Sequence, residues 1–271
     1  MLYVPAANPR ALEKARTLGA DAVIIDLEDS VAPEAKPGAR AAAVEALATP
    51  WPCPVIVRCN GLDTPWGAAD LAALAGAAPD GVLAPKVRGL DDLAALEAAL
   101  QGAPGRTRLW VMIETARAVL GLAGIAAAGG RLEGFVVGLN DLALETRMRI
   151  DPTRSQALPV LTQLVLAARA HGLAALDGVY NRIDDPAGFE AECLQGASLG
   201  FDGKTVIHPS QIAPCNRAFG PTEAEIAWAR EIVAAYAAPD AAAKGAIQLK
   251  GQLVERLHLV EAERTLKLAE T

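Results

Sequence analysis

Eight short apolar runs, separated by helical stretches, limit what this chain can fold into more than any other feature. They end at about Val4, Asp26, Arg58, Pro85, Glu114, Gly138, Asp177 and His208. Between the fourth and fifth runs, DDLAALEAAL at 91–100 brings Leu93, Leu96 and Leu100 to one face behind an acidic N-cap candidate. Gly19, Gly172 and Gly200 stand where helices should end in a left-handed cap just before a strand. Eight strand–helix units with right-handed crossovers in ~220 residues describe an α/β fold, a (β/α)8 TIM barrel. An open doubly wound sheet is the alternative, but no GxGxxG turn follows the first strand.

The rest of the chain fits that frame. It is 52% hydrophobic but only 4% aromatic, with alanine prominent, which suits helices packed closely on a sheet. A net charge of −7 and the lack of a basic run argue against a nucleic-acid partner. Cys53, Cys59, Cys193 and Cys215 form neither a CxxC pair nor a zinc-like cluster, and read as thiols in a reducing compartment. No segment reaches ~18 unbroken apolar residues and none reads as a signal peptide, so the expected location is cytoplasmic, with no membrane partner. The barrel is expected over residues 1–220. Residues 221–271 are expected to be a C-terminal helical extension or lid, not an independent domain. Its helices are expected at 221–237, behind a Thr222/Glu225 capping box, and at about 253–269, with a soft break at 238–246.

Active sites of such barrels lie at the C-terminal strand ends. Here those ends carry Asp26, Glu28 and Asp29, then Arg58, Lys86, Glu114, Asp141, Asp177 and His208. Glu114 and Asp141 are hard oxygen ligands from adjacent strands and suit Mg²⁺. Each alone would read as a helix cap or a partner for Arg117 or Arg147. Arg58 can clamp a carboxylate through two parallel hydrogen bonds, or pair with Glu28 or Asp29. Asp26, Glu28 and Asp29 cannot all ionise close together without cations. Lys86 is a distant candidate for a Schiff base, and Lys204 is expected at the N-terminal end of strand eight. Arg10 and Lys14, one helical turn apart after the first strand, could hold a phosphate or simply form a solvated helix face.

The motifs LYVPAANPRALEKA, GADAVIIDLEDSVAPEAK, VRCNGLDTPWG, APKV, MIETARAVL, GLNDLA, DGVY and GFDGKTVIHPSQ run over nearly the whole chain. Together they resemble the citrate lyase β-subunit-like family of Mg²⁺-dependent acyl-CoA lyases and 2-oxo acid aldolases. The resemblance implies a (β/α)8 barrel, assembled as a homotrimer or hexamer. It implies a carbon–carbon lyase acting on citryl, malyl or citramalyl thioesters of CoA or an acyl carrier, with a 2-oxo acid as the other product. It implies that Glu114 and Asp141 ligate Mg²⁺, that Arg58 holds the 2-oxo acid carboxylate, and that Arg10 and Lys14 face the CoA phosphates.

One stretch departs from the family. Where its tail reads like DGKMID, with the last aspartate reaching a neighbouring subunit's site, this chain has Lys250-Gly251-Gln252-Leu253-Val254-Glu255. Glu255 keeps a carboxyl group on a longer arm and is the expected proton donor to the thioester enolate. Glu255, Arg58 and Asp29 are the expected catalytic residues. Two other readings stand beside the lyase: a malyl-CoA-type thioesterase using the same metal and Arg58, and an accessory β subunit active only with a carrier protein.

Overall fold

A computed structural model describes residues 1–238, 240 and 244–270. Eight parallel strands follow one another in chain order: β1 (Leu2–Pro5), β2 (Val23–Asp26), β3 (Val55–Arg58), β4 (Gly81–Ala84), β5 (Arg108–Ile113), β6 (Leu132–Val137), β7 (Ala174–Asp177) and β8 (Gly203–Lys204). The ring closes just past β8. The Tyr3 N–H donates to the Val206 carbonyl at 2.8 Å, and the Val206 N–H to the Met1 carbonyl at 2.9 Å. The fold is therefore a (β/α)8 barrel. All three glycines expected to cap helices are left-handed, with φ of +62° at Gly19, +68° at Gly172 and +92° at Gly200. Gly172 and Gly200 end their helices, whereas the first helix stops earlier, at Arg16, and Gly19 turns the chain beyond it.

Strand alternation sorts the side chains into two environments. Ile24, Ile56, Leu83, Met112, Val136 and Leu176 pack together inside the barrel, with Tyr3 and Trp110 against them. Trp110 fits because its neighbours are glycines: a Cβ on Gly134 would meet the indole at 2.6 Å, and one on Gly81 at 3.1 Å. Two residues beyond this layer, with the same inward parity, come Asp26, Arg58, Glu114 and Gly138. The barrel thus has an apolar plug below and a charged rim above.

Asp177 and Lys204 carry the opposite parity, which corrects two expectations. β8 is only two residues long, and Lys204 lies level with Asp177 at the C-terminal side, not at the N-terminal end. Nor does Asp177 belong to the rim. It faces outward beneath the helices, where Arg154 Nη1 donates to both its oxygens (2.8 and 2.9 Å) and Lys204 Nζ donates at 3.1 Å. Lys204 also donates to Glu192 at 2.6 Å. His208 caps the short helix Pro209–Gln211, its Nδ1 accepting from the Ser210 N–H at 3.2 Å.

Two compact units divide the chain, Met1–Cys215 and Asn216–Thr271. Within the second, the helix Glu223–Ala237 carries the expected Thr222/Glu225 capping box. The expected break at 238–246 lies partly outside the described residues. The final helix spans Arg256–Ala269, and the residues before it form an antiparallel hairpin, β9 (Ala246–Leu249) and β10 (Gln252–Glu255), instead of starting the helix near 253. Lys250 and Gly251 make the turn with φ of +49° and +81°, so the hairpin rests on a left-handed lysine that no Asn-Gly or Asp-Gly pair announces. Ala229, Ile232, Tyr236, Val254 and Ala262 form this unit's own apolar cluster. Among the described residues, no helix is long and apolar enough to cross a membrane.

The buried network predicts a stability change with a definite pH dependence. Burial resists the Asp177 charge, but Lys204 and Arg154 outweigh it and hold the carboxyl below its ordinary range. Replacing Asp177 with Asn leaves two buried cations facing Glu192 alone and is expected to cost about 3–5 kcal/mol in urea denaturation at neutral pH. A depressed folded pKa contributes stability above the unfolded value of about 3.9 and loses it as pH falls. The gap between wild type and variant should therefore narrow in acid.

Candidate active site

The rim is organised around Arg58. Register pairs Asp26 with Arg58 across β2 and β3. The guanidinium grips that aspartate twice, Nε to Oδ1 at 2.6 Å and Nη2 to Oδ2 at 2.8 Å. Nη1 lies 2.7 Å from Glu28 Oε2, off the hydrogen-bonding line, and 3.4 Å from Asp29 Oδ2. One guanidinium thus serves three carboxylates. Burial resists ionisation of Asp26, but the two bonds from Arg58 outweigh it and hold the carboxyl low. Glu28 receives too little of the same charge: burial, reinforced by Asp29 and Glu114, pushes it up to about 8 despite Arg58.

Glu114 and Asp141 come together as expected, and Lys86 lies between them. Lys86 holds a left-handed backbone, φ +56°, and its N–H donates to Glu114 Oε1 at 2.7 Å. Its ammonium is 3.6 Å from Glu114 Oε1 and hydrogen-bonds Asp141 Oδ1. A single cation can therefore meet both carboxylates. Glu114 is 1% exposed, and its Oε2 is buried without a hydrogen-bond partner. Burial raises its pKa against the pull of Lys86. For Lys86, burial opposes the charge, and Asp141, Glu114 and Glu28 prevail to raise it. Among the described residues no three His, Cys, Asp or Glu side chains converge into a closed metal cage. Two carboxylates, one with an orphaned oxygen, fit instead a hard cation that takes its remaining ligands from water or substrate.

A cavity of about 350 Å³ opens over these groups, lined among others by Tyr3, Asp26, Asp29, Arg58, Met112, Asn140 and Asp141. Asp29 is exposed, as its expected catalytic role requires. Arg10 and Lys14 lie one turn apart on the exposed side of the helix Pro9–Ala15, and neither lines this cavity. Glu255, in the second unit, is an exposed residue whose N–H donates to His258 Nδ1 at 2.9 Å.

Three contributors escaped the sequence reading. Lys36 is buried and donates to the Leu27 and Glu28 carbonyls (3.0 and 2.9 Å) and to Asn60 Oδ1 at 2.6 Å. Asp70, fully buried, accepts from the Asn60 side chain at 2.6 Å and from Arg40 at 2.6 Å. Together they pin the loop that carries Glu28 and the one that leaves β3 at Asn60, just after Arg58. The third is Tyr3, whose ring centroid lies 4.9 Å from the Arg58 guanidinium carbon. Inward parity on β1 could have found Tyr3. Nothing local marks Lys36 or Asp70.

Residues 1–209 match the family model described as HpcH/HpaI aldolase/citrate lyase. The chain is 47% identical to a (3S)-malyl-CoA thioesterase of Cereibacter sphaeroides, across 100% of this chain and 94% of the relative. It is 36% identical to an L-malyl-CoA/beta-methylmalyl-CoA lyase from the same species, across 99% and 93%. Among solved structures, the protein CitE from Mycobacterium tuberculosis, in complex with magnesium, acetoacetate and coenzyme A, superposes with a TM-score of 0.83 at 35% identity, covering 100% of this chain and 97% of that one.

The packing at Glu114 gives a steric test. A Cβ on Gly138 would lie 2.3 Å from both Glu114 Cβ and Oε2, so Gly138→Ala must displace the carboxylate or the strand end. We expect it to destabilise by about 1–3 kcal/mol. Gly38→Ala, inside the helix Lys36–Leu47 with nothing within 4 Å, should be neutral or stabilise by up to about 1 kcal/mol. Urea titrations of both variants measure the difference.

Proposed function

The chain belongs to the HpcH/HpaI aldolase/citrate lyase family, and from that premise we propose that it is a Mg²⁺-dependent enzyme acting on a malyl-CoA-type thioester, with hydrolysis of the thioester as the net reaction. The observation that carries the proposal is the cation position shared by Glu114 and Asp141, beside Arg58 on the cavity wall. The choice of hydrolysis over carbon–carbon cleavage rests on the malyl-CoA thioesterase being clearly more similar to this chain than the malyl-CoA lyase, at comparable coverage. Cleavage to a 2-oxo acid and an acyl thioester is the broader reading that the family also supports.

In this reading Glu114 and Asp141 hold Mg²⁺. The ion, when bound, supplies positive charge that lowers the pKa of a substrate hydroxyl or water and polarises a carbonyl. Arg58, immobilised by Asp26, presents Nη1 to the substrate carboxylate and orients the acyl group. Lys86 supplies a second positive charge over the same carboxylates. Asp29 is exposed and only loosely held by Arg58, and is proposed as the base that takes a proton from water as the water oxygen attacks the thioester carbonyl. The carbon–sulfur bond then breaks and the thiol leaves with a proton. Glu255 is proposed as the proton donor only for the cleavage reaction, where an enolate carbon must be protonated. Arg10 and Lys14 are proposed for the CoA phosphates. The same reading takes residues 221–271 as an extension that does not fold independently, and the assembly as a trimer or hexamer, which sedimentation would measure.

Two measurements test the proposal. Incubated with malyl-CoA and Mg²⁺, the protein should release free CoA and malate in equal amounts. Accumulation of glyoxylate with acetyl-CoA would move the assignment to the lyase, and neither product set would refute both. Glu114→Gln should lose Mg²⁺ affinity and turnover together, and retained affinity would sink the ligand assignment.

A further inference from the structure

Tyr3 stands on β1 with its side chain among the inward-facing residues of the barrel, and it lines the cavity together with Arg58 and Met112. Its hydroxyl is buried and has no hydrogen-bond partner. A buried donor left unmatched costs stability that a phenylalanine of the same shape would not. The packing at this position, including the stacking of the ring against the Arg58 guanidinium, needs only the ring. Burial pushes the phenol well above its ordinary pKa, so it keeps its proton and acts as a donor.

Arg58 falls short of what a substrate carboxylate requires. Nε and Nη2 donate to Asp26, and Nη1 already lies against Glu28 and Asp29. A fourth carboxylate arriving at this guanidinium meets a charge that is largely spent, and the like charges of Asp26 and Asp29 around it. A neutral donor next to the same guanidinium makes up the shortfall without adding to that crowding. We propose that the Tyr3 hydroxyl is a substrate-binding group, donating a hydrogen bond to the carboxylate that Arg58 orients and so selecting acyl groups that carry one. The proposal rests on the function proposed above and adds to it a residue and a determinant of specificity.

Tyr3→Phe removes the hydroxyl and keeps the ring. Calorimetric titration with malate, at saturating Mg²⁺, should show about 10- to 100-fold weaker binding for Tyr3→Phe than for wild type. Mg²⁺ affinity and melting temperature should be unchanged or, for the melting temperature, slightly raised. Equal malate affinity in the two proteins overturns the role of Tyr3 and leaves the proposed function standing. A loss of Mg²⁺ affinity, with malate binding at saturating Mg²⁺ unchanged, also overturns it and makes Tyr3 a positioning residue for the site carboxylates. If wild type binds no malate, the function fails and the assignment of Tyr3 falls with it.

Discussion

The pairing of Arg58 with Asp26 across neighbouring parallel strands is the contact on which the rest of the site depends. Parallel register sets the two residues side by side, and inward parity turns both toward the barrel mouth. Two short hydrogen bonds fix the guanidinium plane. Glu28 and Asp29 then gather on its remaining edge. Breaking such a pair would leave an uncompensated charge in a nearly closed space, which is far more costly than the pair is worth as a stabilising contact. Its value is positional, because it presents a cation at one place over an apolar floor.

Around that cation the barrel carries more negative charge than its own side chains neutralise. Lys86 reaches Glu114 and Asp141, yet Glu28 stays high in pKa and Glu114 retains a bare oxygen. An excess of carboxylate in a buried mouth is unfavourable in the protein alone and favourable once a divalent ion or a cationic ligand arrives. The left-handed backbone at Lys86 belongs to the same economy, since a strained residue is kept where it aims an N–H at Glu114. On the outer side of the sheet, Asp177 and Lys204 have full sets of partners. Comparable residue types at comparable strand ends therefore serve stability on one face and chemistry on the other.

Much of this was legible in the chain. The apolar runs located seven of the eight strands well, the capping glycines took their left-handed conformations, and Arg58, Glu114 and Asp141 stand at the barrel mouth with Asp29 on the cavity wall. What misled was reading strand ends without their alternation. Ile24 to Asp26, Ile56 to Arg58 and Met112 to Glu114 each step by two and stay inside. Asp177 follows the inward Leu176 by one, and so turns out beneath the helices. The hairpin before the last helix was missed because its turn is Lys-Gly, and because its short strands lack the strong alternation of a buried pair.

The sequence by itself determined the architecture and the inventory of the rim. Hydrophobic period and turn chemistry are local, and parallel strands joined by right-handed crossovers bring their ends to one face. Family membership was equally present in the spacing of motifs along the chain. Only the tertiary structure decided how charge is shared among those residues. That Arg58 is spent on Asp26, that Lys86 spans two carboxylates, that Lys36 and Asp70 brace the loops from behind, and that the Tyr3 hydroxyl lacks a partner all depend on distances between strands far apart in sequence. Electrostatic and hydrogen-bond energies follow those distances and the burial that accompanies them.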